Sequence, residues 1–179
     1  TLVIQASAWK FIINTDYGAL NTLLKSLGII QSNINWTPTP EAFFAWEIAC
    51  GIFVTIPFVC FTALSGLQSI DNTLYEAAIV DGSNYWQKLF HITLPLVKPS
   101  LTVATVLNII YVFNSFPIVW TITKGDPASR TDTLVTYLYK LAFYNGKQGE
   151  AAAVSVIGFL ILLVCASCYM VSTLKKGED

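Results

Sequence analysis

The residues best placed to do chemistry lie between positions 76 and 95. They read Glu76-Ala77-Ala78, three residues, Gly82, nine residues, then Ile92-x-Leu94-Pro95. A carboxylate, two methyl side chains and a glycine do not form a catalytic set. They form a recognition surface: Ala77 and Ala78 keep it shallow enough for another protein's groove, while Glu76 and Asp81 offer charge to a basic rim. Other candidates for chemistry are weaker. His91 is the sole histidine, and no paired carboxylates, Ser-His set or metal cluster falls within the apolar stretches. Cys165-Ala-Ser-Cys168 has CxxC spacing, but like Cys50 and Cys60 it sits inside an apolar run without a second ligand pair, so these cysteines read as packing residues. No residue is assigned a catalytic or metal-binding role, no cofactor is expected, and the chain is not read as an enzyme.

The recognition residues need a local scaffold, and the sequence supplies one. Thr73-x-x-Glu76 is a candidate capping box, with Asp71 an alternative N-cap. The spacing predicts a short helix to about Val80, ended by Gly82, whose lack of a Cβ permits positive φ. Ser83 is the expected cap of a second short helix through about His91, before Pro95 and Pro99 redirect the chain. A DNA-reading helix-turn-helix has the same outline. Its second helix would need basic and amide side chains, and here it offers mainly Asn84, Gln87 and Lys88. With net charge near zero, nucleic acid is not an expected partner. A plain connecting loop would explain the polarity of the segment but not its spacing.

On either side lies a hydrophobic chain. Hydrophobic residues make up 54% and charged residues 12% of 179, about half the charge of an ordinary soluble domain. Charges are absent from Ile48 to Ile70, Pro99 to Thr123 and Ala151 to Leu174. Each gap is about the 20 residues a helix needs to cross the bilayer's hydrocarbon. The expected fold is an all-α, polytopic membrane helix bundle. Spans are placed at 41–67, 99–123 and 151–174, with 1–13 closing an earlier span at Trp9 and Lys10. Trp36 and Trp46 read as interfacial anchors. Residues 71–94 form the polar module. Residues 124–149 form the opposite loop, opening on the turn Lys124-Gly125-Asp126-Pro127 and carrying an amphipathic helix from Thr133 to Phe143.

Within the spans, Pro57 and Pro117 each remove a backbone hydrogen bond that neighbouring helices or water must replace. Gly51, Gly66 and Gly158 allow close helix approach. Asn108, Tyr111, Asn114 and Ser115 place amides, a hydroxyl and an aromatic ring in the middle span, where polar groups should face protein or a cavity. These features suit a bundle around a pathway better than a simple anchor. Lys and Arg balance across the flanking connections, so charge bias leaves the orientation open. Thr1-Leu2-Val3-Ile4 starts part-way through an apolar helix pattern, and the chain is read as a fragment.

The Glu76 to Pro95 signature resembles, at every signature position, the EAA segment of the permease subunits of binding-protein-dependent ABC importers. Asp16-Tyr17-Gly18-x-Leu20-Asn21, Gly66-Leu67-Gln68-Ser69-Ile70, Thr133-Leu134-Val135-x-Tyr137-x-Tyr139, Ala142-Phe143 and Gly149 with Ala151-Ala152-Ala153 are similar to further elements of such permeases. The likeness covers essentially the whole chain and is nearest to the carbohydrate-uptake branch, of maltose or glycerol-phosphate type. It implies the C-terminal part of a six-span or longer subunit in the cytoplasmic (inner) membrane of a bacterium or archaeon.

The resemblance also implies partners and roles. Residues 71–94 would be cytoplasmic and act as the coupling helix on an ABC ATPase dimer, through Glu76, Ala77, Ala78, Asp81 and Gly82. A second homologous permease, an extracytoplasmic solute-binding protein and membrane lipid complete the expected partners. Asn108, Tyr111, Asn114 and Ser115 fall where relatives line a sugar site. Three positions depart from the family pattern: Ser83 for Ala, Leu89 for Phe with Phe90 beside it, and Asp126 in a Gly-Gly-Pro turn. The expected cargo is a sugar or related polyol. The alternatives are another small solute, such as a polyamine or phosphonate ester, and a membrane anchor or assembly protein with no pathway.

Overall fold

The structure, a computed structural model, describes residues 2–175. Every regular element among them is helical: α1 (Leu2–Ile12), α2 (Ala19–Ser26), α3 (Pro40–Gln68), α4 (Asn72–Val80), α5 (Tyr85–Lys88), α6 (Leu94–Phe113), α7 (Phe116–Ile122), α8 (Leu134–Tyr139) and α9 (Gln148–Lys175). Five-residue π-helical turns follow α5 (Leu89–Thr93) and α8 (Lys140–Tyr144). Three continuous helical stretches are long and apolar enough to cross a membrane: Pro40–Gln68, Tyr85–Phe113 and Gln148–Thr173. Two are 29 residues long, a rise of about 44 Å. Their surfaces are dominated by exposed Ile, Val, Leu and Phe side chains, as lipid-facing or subunit-facing helices require.

The described residues form two compact units. The first comprises residues 2–54 and 113–159. Its core is Ala6, Cys50, Ile118 and Ile122, flanked by Trp9, Phe43 and Val54, so α1, the first half of α3 and α7 pack together. Trp9 sits edge-on to Phe53 at 5.8 Å and tilted against Trp46 at 5.9 Å. Lys10, in the last turn of α1, donates to the carbonyl of Thr121.

The connection after α1 is built around Asn21, which is 2% exposed. Its amide donates to the carbonyls of Thr15 and Ile34, and its oxygen accepts from the Ile34 N–H and the Trp36 Nε1–H. Trp36 in turn offers its carbonyl to Trp46 Nε1 at 3.0 Å. Gly18 is required in this turn, because a Cβ there would collide with the backbone oxygens of Asn14 and Ile12. Trp36 and Trp46 thus do more than mark an interface: they tie the connection to α3.

The expected span over 99–123 is interrupted. α6 ends at Phe113 and α7 starts at Phe116, leaving Asn114 and Ser115 in the break. Pro117 explains it. Its ring would clash with the carbonyl four residues back, that of Phe113, and it has no N–H to offer there. Pro57 is accommodated inside α3, and Pro99 inside α6. Pro95 is the second residue of α6, just after the π turn. The two prolines therefore do not turn the chain aside; it runs helically from Tyr85 to Phe113.

The loop after α7 carries positive φ at Lys124, Gly125, Ala128 and Ser129. Backbone of this kind persists only where its surroundings over-determine it. Thr123 and the fully buried Thr131 hold its base, and Asp132 pairs with Lys140 at 2.9 Å. The amphipathic helix predicted from Thr133 is present as α8 and its π turn. Thr133 caps it reciprocally with Thr136, and Phe116, Trp120, Tyr139, Phe143 and Tyr144 form one aromatic cluster.

Among the described residues the second unit comprises 55–112 and 160–175. Here Gly66 of α3 meets Ser100 and Val97 of α6, with a virtual Cβ 3.0–3.1 Å from them. Gly158 of α9, in the first unit, is packed tightly against Leu134. The expectation of close approach thus holds at Gly66 and Gly158. Gly51 has nothing within 4 Å of its virtual Cβ.

Candidate functional site

The polar module lies wholly in the second unit. Asp71, not Thr73, is the N-cap of α4: its carboxylate accepts from the Thr73 N–H at 3.0 Å. That charge-assisted bond holds the Asp71 carboxyl below the ordinary aspartate range. The helix ends at Val80 in a Schellman arrangement. Gly82 N–H donates to Ile79 and Ser83 N–H to Ala78, while Gly82 takes φ +76°. The glycine turn is therefore as the sequence predicts.

The second cap is shifted by one residue. Asn84, rather than Ser83, starts α5 through a capping box with Gln87, at 2.8 and 2.9 Å. Register decides it: the box pairs the N-cap with the residue three positions on, which is Gln87 for Asn84 but Trp86 for Ser83. Tyr75 ties α4 to the π turn through Thr93, at 2.9 Å.

Of the predicted contact residues, Glu76, Ala77, Asp81 and Gly82 are exposed. Ala78 is 7% exposed and faces into the module, where it supports the helix pair from within. The outward apolar groups are Ile79, Val80, Tyr85, Trp86 and Phe90, with Val80 87% exposed. Trp86 stacks on Phe90 at 6.1 Å and 20°, and Tyr85 sits edge-on to Trp86. At the position where the sequence departs from the family pattern, Leu89 is half-buried and Phe90 carries the exposed ring. Trp86 and Val80 were not singled out from sequence. The available signal was a Tyr-Trp pair and a β-branched residue in a connection with no core of its own.

The predicted pathway residues divide between the units. Asn108 and Tyr111 lie three apart on α6 in the second unit, the first half-buried and the second 41% exposed. Asn114 and Ser115 occupy the helix break in the first. Among the described residues no group of three or more His, Cys, Asp and Glu side chains could hold a metal. Cys165 and Cys168 are exposed, unpaired thiols on α9.

A capped helix and a glycine turn, with exposed acidic and aromatic groups beside them, thus join the membrane-length helices Pro40–Gln68 and Tyr85–Phe113. The family described as "Binding-protein-dependent transport system inner membrane component" matches residues 6–174. The chain belongs to this family. Inner-membrane components of such systems also account for its three apolar helices of crossing length.

Similar family members include a probable ABC transporter permease of Brucella suis, 49% identical over 170 residues, covering 95% of this chain and 59% of that one. The trehalose/maltose transport system permease MalF of Thermococcus litoralis is 37% identical, covering 94% and 56%. Among solved structures, a bacterial ABC transporter importing the acidic polysaccharide alginate superposes with a TM-score of 0.83 at 24% identity, over 98% of this chain and 61% of that one. The alginate transporter bound to its pentasaccharide-loaded periplasmic protein gives 0.80 at 25%, over 94% and 58%. The chain thus spans between about half and three-fifths of the relatives it matches. Within that portion it is an ABC-importer permease in fold and family.

Proposed function

We propose that this chain is the membrane-spanning subunit of an ATP-driven importer, and that it takes its power stroke through residues 71–94. One observation carries the reading. The complete Glu76 to Pro95 signature folds into a capped, Schellman-terminated helix, α4, whose glycine turn leads through the Asn84 capping box into the membrane-length helix Tyr85–Phe113. Glu76 and Asp81 present carboxylates, and Ile79, Val80, Trp86 and Phe90 present apolar area, to a groove on a cytoplasmic ABC ATPase. ATP hydrolysis belongs to that partner. Closure of the ATPase dimer moves the module as a lever, and the spans exchange between two states of access.

The cargo proposed is a sugar or related polyol. Supporting it are relatives named for trehalose/maltose and for diacetylchitobiose uptake. The residue types at Asn108, Tyr111, Asn114 and Ser115 also suit it, since an aromatic face with amides and a hydroxyl fits a neutral polyol. A second, homologous permease would complete the pathway, and an extracytoplasmic solute-binding protein would deliver the cargo.

The test is co-purification of the ATPase with full-length Glu76→Lys and Gly82→Pro variants, alongside uptake and membrane-fraction assays. Proline fixes φ near −65°, against the +76° that Gly82 adopts. Loss of ATPase association and uptake with normal membrane insertion supports coupling through this module. Wild-type ATPase yield with both variants refutes it.

A further inference from the structure

Between α6 and the end of α9, within the second unit, lies a groove of about 550 Å³. Leu94, Leu101 and the flanking Phe90 and Pro95 give it apolar walls, and Lys98, Tyr169 and Thr173 give it a polar end. Lys98 is half-buried, inside a helix of membrane-crossing length, and its ammonium meets no carboxylate or hydrogen-bond acceptor among the described residues. A cation in that setting is costly unless something anionic answers it. Thr173 donates to the carbonyl of Tyr169, and the Tyr169 hydroxyl carries a further donor. Among the described residues no Asp or Glu lines the groove.

We infer that this groove holds one anionic phospholipid, with its phosphate on Lys98 and Tyr169 and an acyl chain along Leu101. Two features select a lipid. The charge complements a phosphodiester, and the apolar walls belong to helices that face hydrocarbon. A basic pocket between spans, near a membrane surface, is a recurrent form of headgroup site. The lysine stem lies along apolar surface while its ammonium reaches the headgroup level. Lys98 directly precedes the charge-free run that opens at Pro99, and Thr173 lies at the end of the run that closes at Leu174. Both therefore lie at the edges of their apolar spans. The bound lipid belongs to the leaflet at those edges.

The experiment uses the full-length permease in its complete importer, incorporated in nanodiscs of phosphatidylcholine doped with phosphatidylglycerol, then extracted for native mass spectrometry. Wild type should retain one phosphatidylglycerol in preference to phosphatidylcholine. Lys98→Gln should lower retention about fivefold, the loss of one cation near a lipid surface. Lys98→Arg, which keeps the charge, should preserve it. Leu101→Trp, which fills the groove, should abolish it while the importer stays assembled. Equal retention by wild type and Lys98→Gln overturns the inference, as does equal retention of the two lipids. Displacement by 50-fold excess inorganic phosphate also overturns it, in favour of a free anion. A photo-crosslinker at Leu101 that captures protein and no phosphatidylglycerol overturns it in favour of a protein cover. None of these readings depends on transport, so the lipid site and the proposed coupling can fail separately.

Discussion

The hydroxyl of Thr123 donates to Oε1 of Glu47 at 2.6 Å, joining two residues 76 positions apart. Glu47 is 4% exposed, seven residues into α3, and Thr123 is the residue on which α7 ends. The same Thr123 oxygen accepts from the Gly125 N–H at 3.0 Å and from the buried Thr131 hydroxyl at 2.9 Å. One hydroxyl thus fastens a strained loop to a membrane-length helix.

Thr123→Val should therefore cost more than an ordinary surface change. It leaves the buried Glu47 oxygen and the Gly125 N–H without their partner, and an orphaned buried group costs about 1–3 kcal/mol. Thr123→Ser should retain most of the stability. Thermal unfolding of the purified protein in detergent measures the difference, and equal midpoints for the Val and Ser variants would show that the hydroxyl does not anchor the loop.

Asn21 makes the other buried polar node, with all four hydrogen-bonding positions of its amide used. Asn21→Leu keeps the branched outline of the side chain and removes the bonds. The expected loss is about 3 kcal/mol, with the Trp36 indole released. Protease sensitivity between Leu27 and Trp36 should rise accordingly; an unchanged digestion pattern would count against the hub.

Trp86 and Phe90 are stacked but outward-facing, 63% and 57% exposed. If they meet the ATPase, Trp86→Ala should weaken its binding by about 2 kcal/mol or more, near thirtyfold, as aromatic anchors do. The isolated permease should lose no more than about 0.5 kcal/mol of stability, because exposed positions contribute little. Surface plasmon resonance with immobilised permease reads the first and thermal unfolding the second. Unaltered ATPase affinity would remove the stack from the interface.

The Asp71 cap gives a pH dependence with a definite sign. Its carboxyl is depressed by the Thr73 backbone hydrogen bond, followed by the Thr73 side chain. The folded state thus binds the proton less readily than the unfolded state. The cap's contribution is fully present above the unfolded value of about 3.9 and fades as pH falls through the lower, folded one. Amide exchange at Thr73, corrected for its intrinsic pH dependence, should accelerate below about pH 4 in wild type. In Asp71→Asn, which caps without titrating, it should not. Identical pH profiles would disprove the linkage.

The hydrophobic elements were legible from sequence for a plain reason. Transfer to lipid depends on local composition and length, and Ile48–Ile70 or Ala151–Leu174 announces itself without any partner. The glycine turn was equally legible, because positive φ at Gly82 is a property of that residue. Pro117 was seen, but reading it as a mid-span proline missed that its steric reach ends the helix at Phe113. The burial of Glu47 escaped notice because a charge at the edge of an apolar run looks like a span boundary. Its neighbours Trp46 and Ile48, with Cys50 one turn on, were the only warning.

The sequence by itself determined that this is a membrane helix bundle, where its polar module lies, and which signature that module carries. Those are short-range properties of side chains and backbone, written within a turn or a span. Only the tertiary structure decided that Ala78 faces inward while Val80, Trp86 and Phe90 face out, that Asn84 rather than Ser83 caps α5, and that Thr123 reaches Glu47. These outcomes depend on which face each helix turns toward its neighbours. That rotation is settled by packing between segments far apart in sequence, and no local pattern of residues encodes it.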